Sequence, residues 1–256
     1  MFLLRREGRE RTTPIGALHQ AVTRWGEAER SSSGNAVRRW LDGVAYLDVQ
    51  ARTYADFWTR HNEKALAADG PLWVVLGDST AQGLGASSPL HGYVGQVLNA
   101  LRRTGRPWRV VNLSRSGAQT LHVLDDQLPL IEGLGADLVT CGIGSNDILA
   151  TPPKRFRTHL RQVIERLPSS SVMMDLTVPD RFWTIGGVCS PYVANINDLI
   201  NTTATDRGLP VAQVSRHARP PWRGLLAPDS FHPNNLGYRH HADALLAALP
   251  ATIAQH

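Results

Sequence analysis

The chain has 256 residues, of which 42% are hydrophobic and 19% charged, and its formal net charge is +5 at pH 7. This apolar fraction is too high for a disordered protein, and no uncharged run is long enough for a transmembrane helix. The only two cysteines, Cys141 and Cys189, exclude a disulfide scaffold and a four-cysteine zinc site. Because the basic residues are scattered, we expect neither nucleic-acid binding nor stable membrane insertion.

The start of the chain predicts a cytoplasmic protein. Only residues 2–4 are uniformly apolar and arginines follow them, whereas the apolar region of a secretory signal needs roughly 7–15 residues. Residues 1–35 mix charged residues, Gly, Pro and a serine run. This composition predicts a loosely ordered arm with a short helix over 15–30.

Residues 36–70 predict an amphipathic helical extension that ends before the Gly-Pro pair at 70–71. Bulky apolar side chains recur there every three or four positions, which places them on one face of a helix. We expect this stripe to pack on the domain that follows. The alternatives are a homodimer through the helix and a surface that faces a membrane. The stripe consists of Trp40, Val44, Leu47, Ala51, Tyr54 and Trp58.

Residues 71–256 predict a single α/β domain, because short apolar runs alternate with helical periods. The runs at 72–76, 110–113, 138–143, 172–178 and 211–214 are typical of buried strands. Helices are predicted over 93–103, 121–134, 156–167, 193–207 and 236–249. This order favours a parallel sheet with helices on both faces, in which ligands bind at the carboxyl ends of the strands.

Polar residues follow the first three predicted strands. The first strand runs into Gly-Asp-Ser-Thr at 77–80, where a serine at a strand-to-helix turn can expose its hydroxyl. The second leads to Ser116-Gly117, and the third to Gly-Ser-Asn-Asp at 144–147. Taken singly, each segment is also typical of a turn or a helix cap.

A fourth signal lies just before the last predicted helix. Asp229 and His232 are three residues apart on a loop framed by prolines, so a carboxylate can lie beside an imidazole. A serine nucleophile needs such a carboxylate to orient its base and to stabilise the protonated imidazole. With ten histidines in the chain, His232 is informative only together with the other segments.

In this order, the four segments resemble the motifs of the SGNH (GDSL-type) hydrolases over residues 72–249. They are Gly77-Asp78-Ser79, Gly117, Gly144-Ser145-Asn146-Asp147 and Asp229-x-x-His232. Thr80 stands where the name-giving motif has Leu, at a position without a catalytic role. The resemblance implies a flavodoxin-like three-layer α/β/α sandwich with a five-stranded parallel sheet.

The resemblance also implies a role for each matching residue. Ser79 would be the nucleophile, His232 the general base and then the general acid, and Asp229 the group that orients His232. The backbone N–H groups of Ser79 and Gly117 and the side-chain amide of Asn146 would form the oxyanion hole. We therefore expect a serine esterase that hydrolyses a small-molecule acyl ester through an acyl-enzyme, without a cofactor or a bound metal.

Other functions fit the same segments to different degrees. An acyltransferase would use the same acyl-enzyme, and a catalytically silent binding module could use the same fold. A metallophosphoesterase would need Asp-x-His after the first strand and a Gly-Asn-His motif, and the chain has neither there. Asp78 and Asp147 are interpreted as loop-organising carboxylates. Trp183 and Trp222 predict an apolar or mixed acyl pocket, with capping of the core as the alternative.

Overall fold

A computed structural model describes residues 36–177, 189–218 and 222–254. Its five parallel strands form one sheet in the order β2-β1-β3-β4-β5. This is the strand order of flavodoxin-like folds, which confirms the predicted fold class. The strands are β1 (Leu72–Gly77), β2 (Arg109–Asn112), β3 (Leu138–Gly142), β4 (Ser171–Met174) and β5 (Val211–Ala212).

Helices cover the sheet and follow the predicted alternation. The longest are α1 (Ala36–Leu66), α3 (Tyr93–Arg102), α7 (Pro153–Arg166), α8 (Cys189–Asp206) and α10 (Asn235–Ala248). Shorter helices are α2 (Ser79–Gln82), α4 (Thr120–His122), α5 (Leu128–Ile131), α6 (Asp147–Ala150), α9 (Val214–His217) and α11 (Ala251–Ala254). A 3₁₀ turn spans Pro89–His91 and a π turn spans Val123–Gln127.

The two faces of the sheet carry separate cores because successive side chains of a strand point to opposite faces. Trp73 and Val75 of β1 pack in one cluster with side chains of α3 and α10. Val74 and Leu76 pack in the other cluster with side chains of α7 and α8. All six residues of β1 are buried, so the segment that carries Ser79 begins at the centre of the sandwich.

Helix α1 covers the edge of the sheet that β2 forms. Leu47, Tyr54 and Trp58 of the predicted stripe are buried, and the amide of Asn62 pairs with both backbone groups of Asn112 in the edge strand β2, at 2.8 Å each. Covering an edge strand in this way blocks pairing with another chain. The predicted arm at 1–35 lies outside the described residues, as do the side chains of Trp40 and Val44 in the stripe. A homodimer through this helix stays a prediction.

The helix predicted over 121–134 is not continuous. The structure divides it into α4, the π turn and α5, and the helical part ends at Ile131. Pro129 lacks an N–H group and cannot donate the regular bond inside a helix, which accounts for the break. The predicted strand over 172–178 is also shorter, because the side-chain amide of Asn197 bonds to both backbone groups of Leu176 after β4 ends.

Across the three described ranges, none of the helices combines the length and the hydropathy needed to cross a membrane. Over residues 46–66 of α1, the longest helix, most of the exposed side chains are polar or charged. Its Thr53 and Thr59 hydroxyls bond to carbonyls one turn earlier, on the exposed side.

Candidate active site

Ser79 lies at the carboxyl end of the central strand, as the sequence predicts. It is the first residue of α2, and the preceding Asp78 caps this helix by accepting a hydrogen bond from the Thr80 N–H at 2.9 Å. Gly77 adopts φ +153°, and a Cβ there would lie 2.6 Å from the carbonyl oxygen of Gly142 in β3. Close contact between β1 and β3 therefore requires a glycine immediately before the Asp-Ser pair.

The side chains of Ser79, His232 and Asp229 form a continuous chain of hydrogen bonds. Ser79 Oγ lies 2.8 Å from His232 Nε2, and His232 Nδ1 lies 2.7 Å from Asp229 Oδ2. With Nδ1–H donating to the carboxylate, Nε2 is free to accept the serine proton. The structure thus brings together three predicted site residues that are separated by up to 153 positions in the chain.

Hydrogen bonds within the loop that carries His232 hold its backbone in place. Asp229 Oδ1 accepts hydrogen bonds from the N–H groups of Phe231 and His232, at 3.0 and 3.1 Å. The carbonyl of His232 accepts from the Ala227 N–H at 2.7 Å, and Asn234 then caps α10 through the N–H groups of its first turn. We call residues 227–234 the base loop. Its local hydrogen bonds orient the imidazole within the loop.

Two of the predicted oxyanion donors, Gly117 and Asn146, lie on the segments that follow β2 and β3. Gly117 has φ +75°, and a Cβ there would meet no atom within 4 Å, so the space beside its Cα is open. The Asn146 side-chain amide donates to the Ala118 carbonyl at 2.9 Å and to Asp78 Oδ2 at 3.3 Å. Asn146 therefore lies beside both the segment of Gly117 and the residue that precedes Ser79.

The two carboxylates interpreted as loop organisers have different environments. Asp147 accepts hydrogen bonds from the backbone and the hydroxyl of Thr120 and from the hydroxyl of Thr151, which joins the loops after β2 and β3. Burial raises the pKa of Asp78 to about 6, although the Thr80 backbone bond and His232 act in the opposite direction. Within the described part of the chain, neither carboxylate forms a hydrogen bond with the Ser79 hydroxyl.

A small cavity of about 60 Å³ lies beside the segment that carries Ser79. Asp78 and Thr80, which flank Ser79, both line it. Trp222 is buried in the core and also lines this cavity. Its capping of the core is confirmed, and its place in an acyl pocket stays a prediction. Trp183 lies outside the described residues. The remaining walls combine apolar side chains, among them Ile143, Met174, Leu176 and Phe231, with polar ones.

One supporting residue escaped the sequence interpretation. The Gln127 amide accepts from the Gly77 N–H at 2.8 Å and donates to the Gly77 carbonyl at 2.9 Å, two residues before the nucleophile. Its only signal in the sequence is Pro129, which favours an irregular helix at this point.

Among the residues described, no group of three or more His, Cys, Asp or Glu side chains could hold a metal ion.

The arrangement of a serine, an imidazole and a carboxylate at the carboxyl edge of a flavodoxin-like sheet is typical of ester hydrolases. Residues 75–240 match the family model of the GDSL-like lipase/acylhydrolase family. Because the match spans more than half of the chain, the chain belongs to this family and is an ester hydrolase of the SGNH type. The family suggested by the sequence motifs is confirmed.

Solved structures share the fold. LAE5, an alpha/beta hydrolase from the metagenome of Lake Arreo, is 22% identical, with a TM-score of 0.58 over 75% of this chain and 100% of its own. TesA is 20% identical, with a TM-score of 0.59 over 69% and 97%. Axe2, an acetylxylan esterase from Geobacillus stearothermophilus, is 18% identical, with a TM-score of 0.55 over 71% and 94%. No curated protein sequence matches the chain.

Proposed function

We propose that the protein is a serine esterase that cleaves carboxylic ester bonds through an acyl-enzyme on Ser79. One observation carries the proposal: the chain of hydrogen bonds from Ser79 Oγ to His232 Nε2 at 2.8 Å and from Nδ1 to Asp229 at 2.7 Å. Each group is within the distance needed for proton transfer or for orientation of the base. Its substrate is a small-molecule acyl ester.

In the first half-reaction, Ser79 Oγ attacks the ester carbonyl carbon while His232 Nε2 takes the hydroxyl proton. Asp229 stabilises the imidazolium that forms. The tetrahedral intermediate then breaks its bond to the alcohol oxygen, which receives the proton from Nε2 and leaves as the alcohol. Water repeats these steps on the acyl-enzyme, with His232 again as base, and releases the carboxylic acid and the free serine.

The negative charge that develops on the carbonyl oxygen is stabilised by three donors. These are the backbone N–H groups of Ser79 and Gly117 and the side-chain amide of Asn146. Asn146 bonds to Ala118, the residue after Gly117, and to Asp78, the residue before Ser79, so its amide lies next to both segments that carry the backbone donors. Donors of this kind act mainly on the transition state, because they are fixed before the charge develops.

The decisive experiment is labelling with a fluorophosphonate probe, followed by peptide mapping, together with turnover of p-nitrophenyl acetate. We expect the adduct on Ser79 and loss of both labelling and turnover in Ser79→Ala. The chain offers a matched control: Ser87 Oγ also lies 2.7 Å from a histidine nitrogen, Nδ1 of His91, but on the exposed surface. Ser87→Ala should keep both signals. A folded wild-type protein that takes no label on Ser79 would contradict the proposal.

A further inference from the structure

Helix α1 lies outside residues 75–240, which match the family, yet one of its polar side chains is completely buried. Gln50 Oε1 accepts a hydrogen bond from the Gly85 N–H at 2.6 Å, and its Nε2 donates to the Ala86 carbonyl at 2.8 Å. A buried amide is stable only when its polar atoms find partners, and here both ends of the amide bond to adjacent residues of one turn. Gln50 thus fixes both the position and the orientation of that turn.

A second side chain of α1 completes this contact. Tyr54 Oη donates to the Ala86 carbonyl at 2.7 Å and accepts from Gln50 Nε2 at 3.1 Å. Burial raises the pKa of Tyr54, so its hydroxyl keeps the proton that it donates. The Ala86 carbonyl therefore receives two donors from one helix, and Gln50 is held in a single orientation.

The turn at Gly85 lies between the nucleophile and the base. On one side, the Leu84 N–H donates to the carbonyl of Ser79 at 3.0 Å. On the other, a Cβ at Gly85 would lie 2.9 Å from His232 Cβ and 2.4 Å from the Pro233 carbonyl oxygen, so this turn packs directly against the base loop. Gly85 has φ +91°, a backbone conformation that favours glycine. A displacement of the turn would therefore change the distance between Ser79 and His232.

We propose that Gln50 is a positioning residue for the reaction, which sets the spacing between Ser79 and His232 through the Gly85 turn. The inference rests on the proposed esterase function. Helix α1 is then a functional part of the enzyme as well as a cover for the sheet edge. A catalytic pair displaced by about 1 Å can lose ~10²-fold in rate, so a contact that fixes this pair should affect kcat.

The test compares two leucine substitutions on α1. Gln50→Leu removes both bonds to the turn, whereas Asn62→Leu removes an equivalent pair of bonds from an amide to the backbone of Asn112. Both variants should lose thermal stability. Only Gln50→Leu should lower kcat, by about 10- to 100-fold, with KM within about twofold of wild type. Equal kcat in Gln50→Leu and wild type, or an equal loss in both variants, would overturn the inference.

Gln50→Glu supplies a readout that a purely structural role would not change. A protonated carboxyl group donates and accepts like the amide, whereas a carboxylate only accepts. The ratio of kcat/KM between this variant and wild type should therefore rise as the pH falls, and a ratio independent of pH would contradict the proposal.

Tyr54→Phe tests the same contact if Gln50→Leu does not fold. This variant removes one of the two donors to Ala86 and should give a smaller loss of kcat. An unchanged kcat would contradict the proposal.

Fluorophosphonate labelling separates the two proposals. If wild type takes no label on Ser79, the esterase function itself fails. If wild type is labelled and Gln50→Leu is labelled at the same rate, only the positioning role of Gln50 fails. We expect rapid labelling of Ser79 in wild type and in Asn62→Leu, and slower labelling of the same serine in Gln50→Leu.

Discussion

The base loop differs in its construction from the segments of Gly117 and Asn146, two of the predicted oxyanion donors. Asp229 and His232 belong to one short loop, in which Asp229 bonds to the imidazole and to two backbone N–H groups. Gly117 and Asn146 follow different strands. The pairing of β2 and β3 with β1 brings them together, and so do the hydrogen bonds of Asn146 and Asp147 to the loop after β2. The pairing of the base with its carboxylate depends on contacts within one loop, whereas the oxyanion region depends on contacts between loops that follow different strands.

This difference predicts how each region fails. A substitution of His232 removes a step of the reaction, because His232 Nε2 is the group that lies within proton-transfer distance of the Ser79 hydroxyl. A substitution in the oxyanion region removes one donor of three and leaves the others in place. Losses should therefore be nearly complete on one side and partial on the other.

The largest effect is expected for His232→Ala. Without the imidazole, Ser79 has no base, and kcat should fall by about 10⁴-fold or more. The double variant Ser79→Ala/His232→Ala should be no slower than the slower single variant, because the two groups act as a unit. Steady-state kinetics with p-nitrophenyl acetate measures these losses. Multiplication of the two single losses in the double variant would show that the residues act independently.

Asn146→Ala should give the next largest effect. It removes one donor to the developing oxyanion, and kcat should fall by about 10²–10³-fold with little change in KM. Asn99→Ala, at an exposed position of α3, is the matched control and should keep wild-type kinetics. Complete inactivation by Asn146→Ala in a folded protein would mean that this side chain organises the site instead of sharing the charge with two other donors.

The two regions also contain buried groups that respond to pH in opposite directions. Below the base loop, in α10, burial lowers the pKa of His241 to about 4. The folded state therefore resists protonation of this imidazole, and the stability that it supplies is lost as the pH falls from about 6.5 towards 4. Between pH 7 and pH 5 this effect lowers the free energy of unfolding by about 2 kcal/mol.

We therefore expect His241→Asn to lose less stability on acidification than wild type does. The asparagine amide can replace the imidazole Nδ1, which contacts the Gly237 carbonyl at 3.1 Å, but it does not titrate. Urea unfolding at pH 7 and pH 5 gives the two free energies of unfolding for each chain. Equal changes in the two chains would show that His241 is not the group responsible.

Much of the site could be predicted from the sequence because its residues stand immediately after buried apolar runs. Ser79 follows the run of β1, and Asp229 and His232 are close enough to be interpreted as a pair. The register of the sheet could not be predicted, so the placement of Asn146 beside Asp78 follows only from the structure. Motif spacing reports which residues are present, whereas strand pairing determines which of them meet.

The supporting glutamines show where sequence interpretation fails. Gln50 lies on the same helical face as Leu47 and Tyr54, so a polar residue within the buried stripe was a visible signal, but its partners are 35 and 36 positions away. The pattern over 121–134 predicts a regular helix around Gln127, whereas the contact of Gln127 with Gly77 depends on the π turn. Long-range amide contacts depend on tertiary packing, which local periodicity does not describe.

The smallest effect is expected for Asp78→Asn and has the opposite sign to that of His241. Burial raises the pKa of Asp78 to about 6, so the folded state holds a proton that the unfolded chain releases from about pH 3.8 upwards. The stability from this group is present at low pH and is lost as the pH rises, by about 1 kcal/mol between pH 5 and pH 7. Asparagine does not titrate, so the variant should gain about 1 kcal/mol relative to wild type over this interval. Urea unfolding at pH 5 and pH 7 tests this. If the variant instead loses stability relative to wild type as the pH rises, the folded state stabilises the Asp78 carboxylate, for example through the Asn146 amide.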